Sequence, residues 1–176
     1  LRDASIAHDL SYVALRYFNV AGADPKGRSG QSTPQATHLI KVACQAALGQ
    51  RDKMGIFGTD FPTPDGTGVR DYIHVNDLAD AHALVLDHLA ATAENLTINC
   101  GYGRGYSVRE VVDHSREVTN RAVPVQTGAR RPGDCTKLVS GSVRAETELG
   151  WAPVRSDLGT MISDAWRWHG TGHYDK

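Results

Sequence analysis

Short runs of β-branched and aromatic residues alternate in this chain with segments whose apolar residues recur every three to four positions. The first pattern is typical of strands and the second of amphipathic helices. Strands are predicted at residues 12–18, 54–58, 70–75, 96–100, 123–126 and 137–140, and helices at residues 37–48, 75–90, 107–118, 142–149 and 158–168. Because strands that alternate with helices build a sheet covered by helices, the sequence predicts an α/β fold.

The chain reads as one folded unit. Its 176 residues suit a single domain, and no fixed-period repeat or low-complexity linker divides residues 1–176. The chain starts with Leu1, and its first residues resemble the end of a helix followed by a strand. This beginning is typical of the interior of a longer protein.

Charge and hydropathy argue against several classes of function. The 19 Lys and Arg residues balance 20 Asp and Glu residues, which predicts no binding of nucleic acid or of an anionic membrane. The longest apolar runs are far shorter than the ~18 residues that span a bilayer. Three separate cysteines without a secretion signal predict a cytoplasmic setting. His82 and His88 are too far apart to be neighbours on a helix, so no metal site is expected.

A glycine-rich segment, GYGRGYSVREVV at residues 101–112, lies between a predicted strand and a predicted helix. Ser107 and Glu110 match a capping box at the start of that helix. The dinucleotide fingerprint G-x-G-x-x-G does not match, because Tyr106 stands where the third glycine belongs. The segment favours a tight turn, and backbone contact with a phosphate is the alternative.

Two arginines stand at junctions between loops and strands. Arg70 opens the run RDYIHV, and Arg131 lies in ARRPGD. A planar guanidinium group donates two parallel hydrogen bonds, which suits a nucleotide diphosphate. The alternative is that Arg70 pairs with Asp71 or Asp77 and that Arg131 is solvated. Residue chemistry alone does not choose between them.

Three other residues have two interpretations each. Asn19 follows the first predicted strand, where open α/β sheets place ligand groups, although the pattern favours a turn residue. The pattern also favours a core position for Phe57 over a platform for a base. His82 lies on an apolar stripe and is expected to be a core histidine.

Five segments together resemble the UDP-glucose 4-epimerases of the extended short-chain dehydrogenase/reductase group. They are LRYFNVAGA, TPQATHLIKVACQAALGQ, IFGTDFPTPDGTGVRDYIHVNDLADAH, NCGYGRGYSV and RRPGD. The resemblance covers nearly the whole chain and is closest to the bacterial exopolysaccharide type. The pair GTGVRDYIHVxDLA and RRxGD is far more specific than a lone glycine motif.

The resemblance implies contacts with a cofactor and with a nucleotide base. Tyr17 and Phe18 would face the nicotinamide of NAD. The segment formed by Gly55, Ile56 and Phe57 would read uracil through its backbone. The implied substrates are UDP-glucose and UDP-galactose, which the family interconverts in galactose and nucleotide-sugar metabolism.

The resemblance also implies contacts with the rest of the nucleotide sugar. Arg70 and Arg131 would clamp the diphosphate, Asp134 would contact the ribose, and Asn19 would bind the diphosphate or the sugar. In this role Asp71 would hold Arg70 in place.

Two positions have side chains that matter for specificity. His38 stands where many members have asparagine, and an imidazole nitrogen can replace an amide there; Leu39 follows it as in the family. Leu138 occupies a position linked to room for an N-acetyl group. Because leucine is of intermediate size, it favours UDP-glucose and UDP-galactose.

The family's other motifs do not occur in this sequence. The resemblance places NAD on an amino-terminal Rossmann domain with GxxGxxG, and it places catalysis on a Ser or Thr with a Tyr-x-x-x-Lys pair. None of the six tyrosines has a lysine four residues later. The chain is therefore expected to be the carboxyl-terminal, substrate-binding part of an NAD-dependent epimerase, lacking most of the Rossmann domain and all catalytic residues.

The implied reaction is NAD-dependent epimerisation through a 4-keto intermediate. The chain alone is expected to be inactive, and its implied partners are UDP-sugar, the amino-terminal half of the enzyme and a second copy of the parent protein. Two alternatives are a non-catalytic nucleotide-sugar-binding fragment and a related UDP-sugar dehydratase or decarboxylase.

Overall fold

The computed structural model describes residues 1–172 and confirms the α/β fold. Its helices are α1 (Arg2–His8), α2 (Leu39–Ala47), α3 (Val75–Thr92), α4 (Val108–Thr119), α5 (Val143–Leu149) and α6 (Leu158–Gly170). Its strands are β1 (Val13–Arg16), β2 (Asn19–Ala21), β3 (Met54–Phe57), β4 (Val69–His74), β5 (Leu96–Asn99), β6 (Gly105–Ser107), β7 (Val125–Gly128) and β8 (Lys137–Leu138).

Most strand pairs are parallel. Strand β1 pairs with β5, β2 with β4, β3 with β7, and β4 with β8, all in parallel. Only the pair of β4 and β6 is antiparallel among the described residues. Strand β4 therefore has three neighbours and is the centre of its sheet.

The strand predicted at residues 12–18 is shorter in the structure, and a further strand, β2, follows it outside the predicted strands. Strand β1 ends at Arg16 and β2 begins at Asn19, because the two strands pair with different neighbours. Tyr17 and Phe18 lie at the step between them and are 43% and 40% exposed. Asn19 then donates from Nδ2 to the carbonyl oxygen of Asp71 at 3.1 Å, which ties β2 to β4.

Helices α2, α4 and α6 pack together over one apolar cluster. Ile40 and Cys44 of α2 contribute to it, as do Val111 of α4 and Met161 and Ile162 of α6, and all are buried. Burial of a side chain of this size stabilises the fold by roughly 1.5–3 kcal/mol relative to exposure. The predicted apolar stripe of the last helix is therefore confirmed as core. A second cluster joins α3, α5 and strands β4 and β5.

The capping box predicted at the start of α4 is confirmed, whereas the core position predicted for His82 on α3 is wrong. Ser107 Oγ accepts from the N–H of Glu110 at 3.0 Å, and Glu110 accepts from the N–H of Ser107 at 2.6 Å, which completes the capping box. His82 is exposed instead of buried, and its Nδ1 lies 2.8 Å from the carbonyl oxygen of Leu78. The apolar stripe of this helix is short, and the sequence pattern alone does not determine which residues along its two sides face the core.

No helix within residues 1–172 is long and apolar enough to cross a membrane. Over the same range, no group of three or more His, Cys, Asp or Glu side chains is placed to hold a metal ion.

Candidate functional site

A cleft of about 600 Å³ opens beside α2, β3 and β4. Eight of the twelve residues predicted to contact substrate or cofactor line it: Asn19, His38, Leu39, Gly55, Phe57, Arg70, Arg131 and Asp134. They come from five separate parts of the chain. The fold thus brings together most of the predicted site.

The two predicted arginines converge on one carboxylate. Arg131 Nε donates to Asp134 Oδ2 at 2.9 Å, and Arg70 Nη2 lies 4.0 Å from Asp134 Oδ1. Arg70 Nη1 also donates to the carbonyl oxygens of Val69 and Cys135, at 2.9 and 2.8 Å. Both guanidinium groups are therefore held at the same wall of the cleft. The alternative pairing of Arg70 with Asp71 or Asp77 is not formed within the described residues.

Asp71 has a different set of partners. Its carboxylate is 2% exposed and accepts hydrogen bonds from the backbone N–H groups of Tyr102, Gly103 and Ser140, at 3.4, 3.2 and 3.1 Å. Burial raises the pKa of Asp71, while these three hydrogen bonds oppose that shift. Asp71 therefore does not hold Arg70 directly. Instead it ties β4 to the glycine turn and to the segment after β8.

Two backbone N–H groups of the glycine turn at residues 101–105, those of Tyr102 and Gly103, thus donate to a side chain of the protein itself. A Cβ at Gly101 would lie 2.4 Å from the Cβ of Ser140 and 2.8 Å from Oδ2 of Asp71, so this position has no room for a side chain. The turn then leads into β6, which the sequence did not predict. These contacts favour the interpretation as a structural turn over a phosphate contact.

Asp77 anchors the start of α3. Its Oδ2 accepts from the hydroxyl of Tyr102 at 2.6 Å and from the N–H of Arg155 at 2.8 Å. The indole N–H of Trp151 donates to its carbonyl oxygen at 2.8 Å, and the rings of Tyr102 and Trp151 stack. Asp71 and Asp77 therefore both bind Tyr102, through its N–H and its hydroxyl, and neither pairs with Arg70. Of the three residues, only Arg70 lines the cleft.

Phe57 forms part of the cleft wall and is 46% exposed, so the expectation of a core position is wrong. Its ring lies over Gly55, where a Cβ would come within 2.6 Å of Phe57 Cζ. The guanidinium carbon of Arg131 lies 5.1 Å from the ring centroid, within the range of a cation–π contact. Ile56 is buried and packs on the other side of β3. The alternation of a strand separates the two side chains.

The loop before β4 contains a turn at Gly66. Gly66 has a φ of +79°, and a Cβ there would lie 2.2 Å from the carbonyl oxygen of Thr59. Thr63 donates from its hydroxyl to the carbonyl oxygen of Thr67 at 2.8 Å. The turn is therefore tight and depends on glycine.

Four predicted residues lie outside the set that lines the cleft: Tyr17, Phe18, Ile56 and Leu138. Leu138 is exposed on β8 and stands in register with Arg70. Arg51, which the sequence analysis missed, lines the cleft as a third arginine. It lies between the end of α2 and the start of β3, and this junction of helix and strand could have drawn attention to it.

Comparison with protein families gives a match over residues 1–101 to the NAD dependent epimerase/dehydratase family. The sequence is 59% identical over 168 residues to a UDP-glucose 4-epimerase of Azospirillum brasilense, a match that covers 96% of this chain and 48% of the relative. It is 48% identical to a UDP-glucose 4-epimerase of Halalkalibacterium halodurans, over 93% of this chain and 49% of the relative.

Solved structures show the same similarity. The UDP-glucose 4-epimerase from Brucella ovis in complex with NAD superposes with a TM-score of 0.92 at 47% identity, over 97% of this chain and 52% of that one. The UDP-glucose 4-epimerase from Bifidobacterium longum in complex with NAD+ and UDP gives a TM-score of 0.86 at 34% identity, over 99% and 52%. The chain thus spans about half the length of the relatives that it matches.

Proposed function

Because this chain belongs to the NAD dependent epimerase/dehydratase family, we propose that it forms the UDP-sugar-binding region of a UDP-glucose 4-epimerase. The enzyme would be an isomerase that interconverts UDP-glucose and UDP-galactose. The observation that carries the proposal is the convergence of Arg70 and Arg131 on Asp134 in one cleft. The names of the similar proteins support it.

Arg70 and Arg131 would bind the diphosphate. A hydrogen bond between charged partners contributes roughly 1.5–3 kcal/mol net, and each guanidinium group offers a planar fork to phosphate oxygens. Asp134 holds both groups in position before a ligand arrives, which lowers the entropy lost on binding. Phe57 would offer its exposed ring beside them to the nucleotide.

Strong contacts at the diphosphate suit the proposed reaction. The sugar must present one face when hydride leaves C4 and the opposite face when hydride returns. A nucleotide anchored by its diphosphate keeps the reactant bound while the sugar turns, because the binding energy comes from a part that does not react. Arg70 and Arg131 would supply that energy.

The chain has residues that fit an NAD cofactor. NAD, when bound, accepts the hydride from the sugar and returns it. Tyr17 and Phe18 expose aromatic rings at the step between β1 and β2, where they can pack against a flat nicotinamide ring. We propose that these two residues contribute the chain's contact with NAD, and that other parts of the enzyme contribute most of the site.

The isolated chain is proposed to bind UDP-sugar without converting it. Its sequence contains no Tyr-x-x-x-Lys pair to supply the acid and the base. Activity would then need the rest of the enzyme, which an experiment can supply as a separate amino-terminal polypeptide. The complete enzyme would be a homodimer.

The test measures UDP binding by calorimetry and the conversion of UDP-galactose in the presence of NAD. We expect the chain to bind UDP and to show no conversion until an amino-terminal half from the Azospirillum brasilense relative is added. Absence of UDP binding would overturn the proposed site, and conversion by the chain alone would overturn the proposed division of roles. Product analysis with UDP-glucuronate and UDP-N-acetylglucosamine separates an epimerase from a decarboxylase or a dehydratase.

A further inference from the structure

The loop between β2 and α2 covers residues 22–38 and contacts α6. It is longer than the roughly 12–15 residues beyond which an irregular loop is uncommon and is usually functional or disordered. The loop contributes Gln31 to the wall of a second cavity, of about 230 Å³, which adjoins the cleft. It contributes His38 to the walls of both. The conformation of this loop therefore sets the position of a residue predicted to bind substrate.

Two consecutive residues of α6 hold the middle of the loop. Arg167 Nη1 donates to the carbonyl oxygen of Pro25 at 3.2 Å and to Oδ1 of Asp164 at 2.9 Å. The indole N–H of Trp168 donates to the carbonyl oxygen of Gln31 at 3.3 Å. The backbone of the loop is thus tied to one helix at two points.

The ring of Trp168 also packs directly on the loop. A Cβ at Gly30 would lie 2.4 Å from two atoms of that ring, so only glycine lets the backbone lie against the indole. Gln31 is the next residue, and its carbonyl oxygen accepts from the same indole. Trp168 is 9% exposed, so this contact is largely shielded from water. The backbone of Gln31 is therefore held by both packing and a hydrogen bond.

The side chain of Gln31 connects this held backbone with His38. Its Nε2 lies 3.2 Å from Nδ1 of His38. An amide nitrogen donates and does not accept, so Nδ1 is the acceptor and a neutral imidazole then has its proton on Nε2. The imidazole makes no capping hydrogen bond with α2, and within residues 1–172 its Nε2 has no hydrogen-bond partner. The Nε2–H group is therefore available to a ligand in the cleft that His38 lines.

We propose that Trp168 and Gln31 are positioning residues for the nucleotide-sugar site and act on it through His38. Trp168 holds the backbone of Gln31, the side chain of Gln31 holds the imidazole, and the imidazole presents its Nε2–H to an acceptor atom of the ligand. Among the described residues, Trp168 is outside the sets that line the cleft and the second cavity. The inference rests on the proposed function, because the ligand is the UDP-sugar.

The first experiment removes the indole N–H and keeps an aromatic ring. In Trp168→Phe the carbonyl oxygen of Gln31 loses its donor, and we expect the Kd for UDP-glucose to rise about three- to tenfold in calorimetry. Trp151→Phe is the matched control, because Trp151 is buried and also donates from its indole N–H to a backbone carbonyl oxygen, that of Asp77. This control should lose stability and keep the Kd of the unaltered chain. The same Kd in both variants would overturn the inference.

The second experiment tests the route through His38 with double-mutant cycles. Gln31→Ala and His38→Ala are each expected to raise the Kd for UDP-glucose. When His38 is already alanine, neither Trp168→Phe nor Gln31→Ala should raise the Kd further, because the group that they hold is gone. A merely structural role would give effects that add in full, and such additivity contradicts the proposal. If Trp168→Phe does not fold, the cycle of Gln31→Ala with His38→Ala decides.

The unaltered chain separates a failure of this inference from a failure of the proposed function. If it binds no UDP-glucose, the proposed function is wrong and the inference falls with it. If it binds UDP-glucose and Trp168→Phe binds with unchanged Kd, only the inference is wrong. A raised Kd in Trp168→Phe, an unchanged Kd in Trp151→Phe and a non-additive cycle with His38→Ala together support it.

Discussion

The carboxylate of Asp134 lies 4.0 Å from the guanidinium group of Arg70, across a long separation in sequence. Both side chains are largely shielded from water, so the attraction between them is less screened than at an open surface. Arg131, whose side chain is more exposed, donates to the same carboxylate at 2.9 Å. Asp134 therefore holds two positively charged guanidinium groups close together, an arrangement that suits a diphosphate ligand.

Arg131→Ala is expected to weaken UDP binding by about 2–4 kcal/mol, because part of the diphosphate would lose its charged donor. The side chain is exposed, so the free energy of unfolding should change little. Calorimetry of UDP binding measures the effect. Arg144→Ala removes another exposed, ion-paired arginine outside the cleft and should leave UDP affinity unchanged. Equal affinity in the two variants would remove Arg131 from the site.

Asp71→Asn is expected to reduce the free energy of unfolding by about 1–3 kcal/mol, because an amide group cannot accept all three backbone hydrogen bonds. Urea denaturation at neutral pH measures the change. The control is Asp80→Asn, which alters an exposed aspartate on α3. Similar small effects of both substitutions would show that the three hydrogen bonds contribute little.

Gly22→Ala is expected to destabilise the fold by about 2 kcal/mol or more. Gly22 has a φ of +77°, and a Cβ there would lie 2.5 Å from the ring of His74, which is buried and lies 3.2 Å from Asp164. Gly27→Ala is the control, since its φ is +69° but nothing lies within 4 Å of the added Cβ. It should cost only about 1 kcal/mol. A thermal melt of both variants tests the difference, and equal losses would mean that the ring adapts.

His169 is expected to make the protein less stable in acid. Its pKa falls from 6.5 to about 4 in the fold, so the unfolded chain binds more protons between these pH values. The free energy of unfolding therefore falls as the pH falls from 6.5 to 4, by up to about 3 kcal/mol from this residue. His169→Gln should remove that part of the slope, whereas His8→Gln, at an exposed position, should retain it. Identical slopes in the two variants would contradict the assignment.

Local signals in the sequence predicted much of this molecule. Ser107 and Glu110 fix the start of α4 because both partners of the capping box lie within one turn. The resemblance to the family predicted that Arg70 and Arg131 act together, whereas the residues around each arginine do not indicate this. The convergence of both on Asp134 could not be foreseen, since the position of a carboxylate between two loops depends on the whole fold.

Other features depend on partners that are distant in sequence. The step at Tyr17 and Phe18 arises because β1 pairs with β5 whereas β2 pairs with β4. The run of strand-forming residues does not indicate this change of pairing partner. Phe57 is exposed because its ring rests on Gly55 instead of entering the core. The short strand β6 exists because β4 offers an unpaired edge to residues that alone favour a turn.

Consecutive residues of a strand point to opposite faces, so Arg70 and Asp71 connect two regions through one peptide unit. The carboxylate of Asp71 accepts hydrogen bonds from the backbone N–H groups of Tyr102, Gly103 and Ser140, while Arg70 lines the cleft. A ligand that immobilises Arg70 would restrain this peptide unit as well. Hydrogen exchange at those three amides would then slow when the cleft is filled, and it would report occupancy from the far side of the strand.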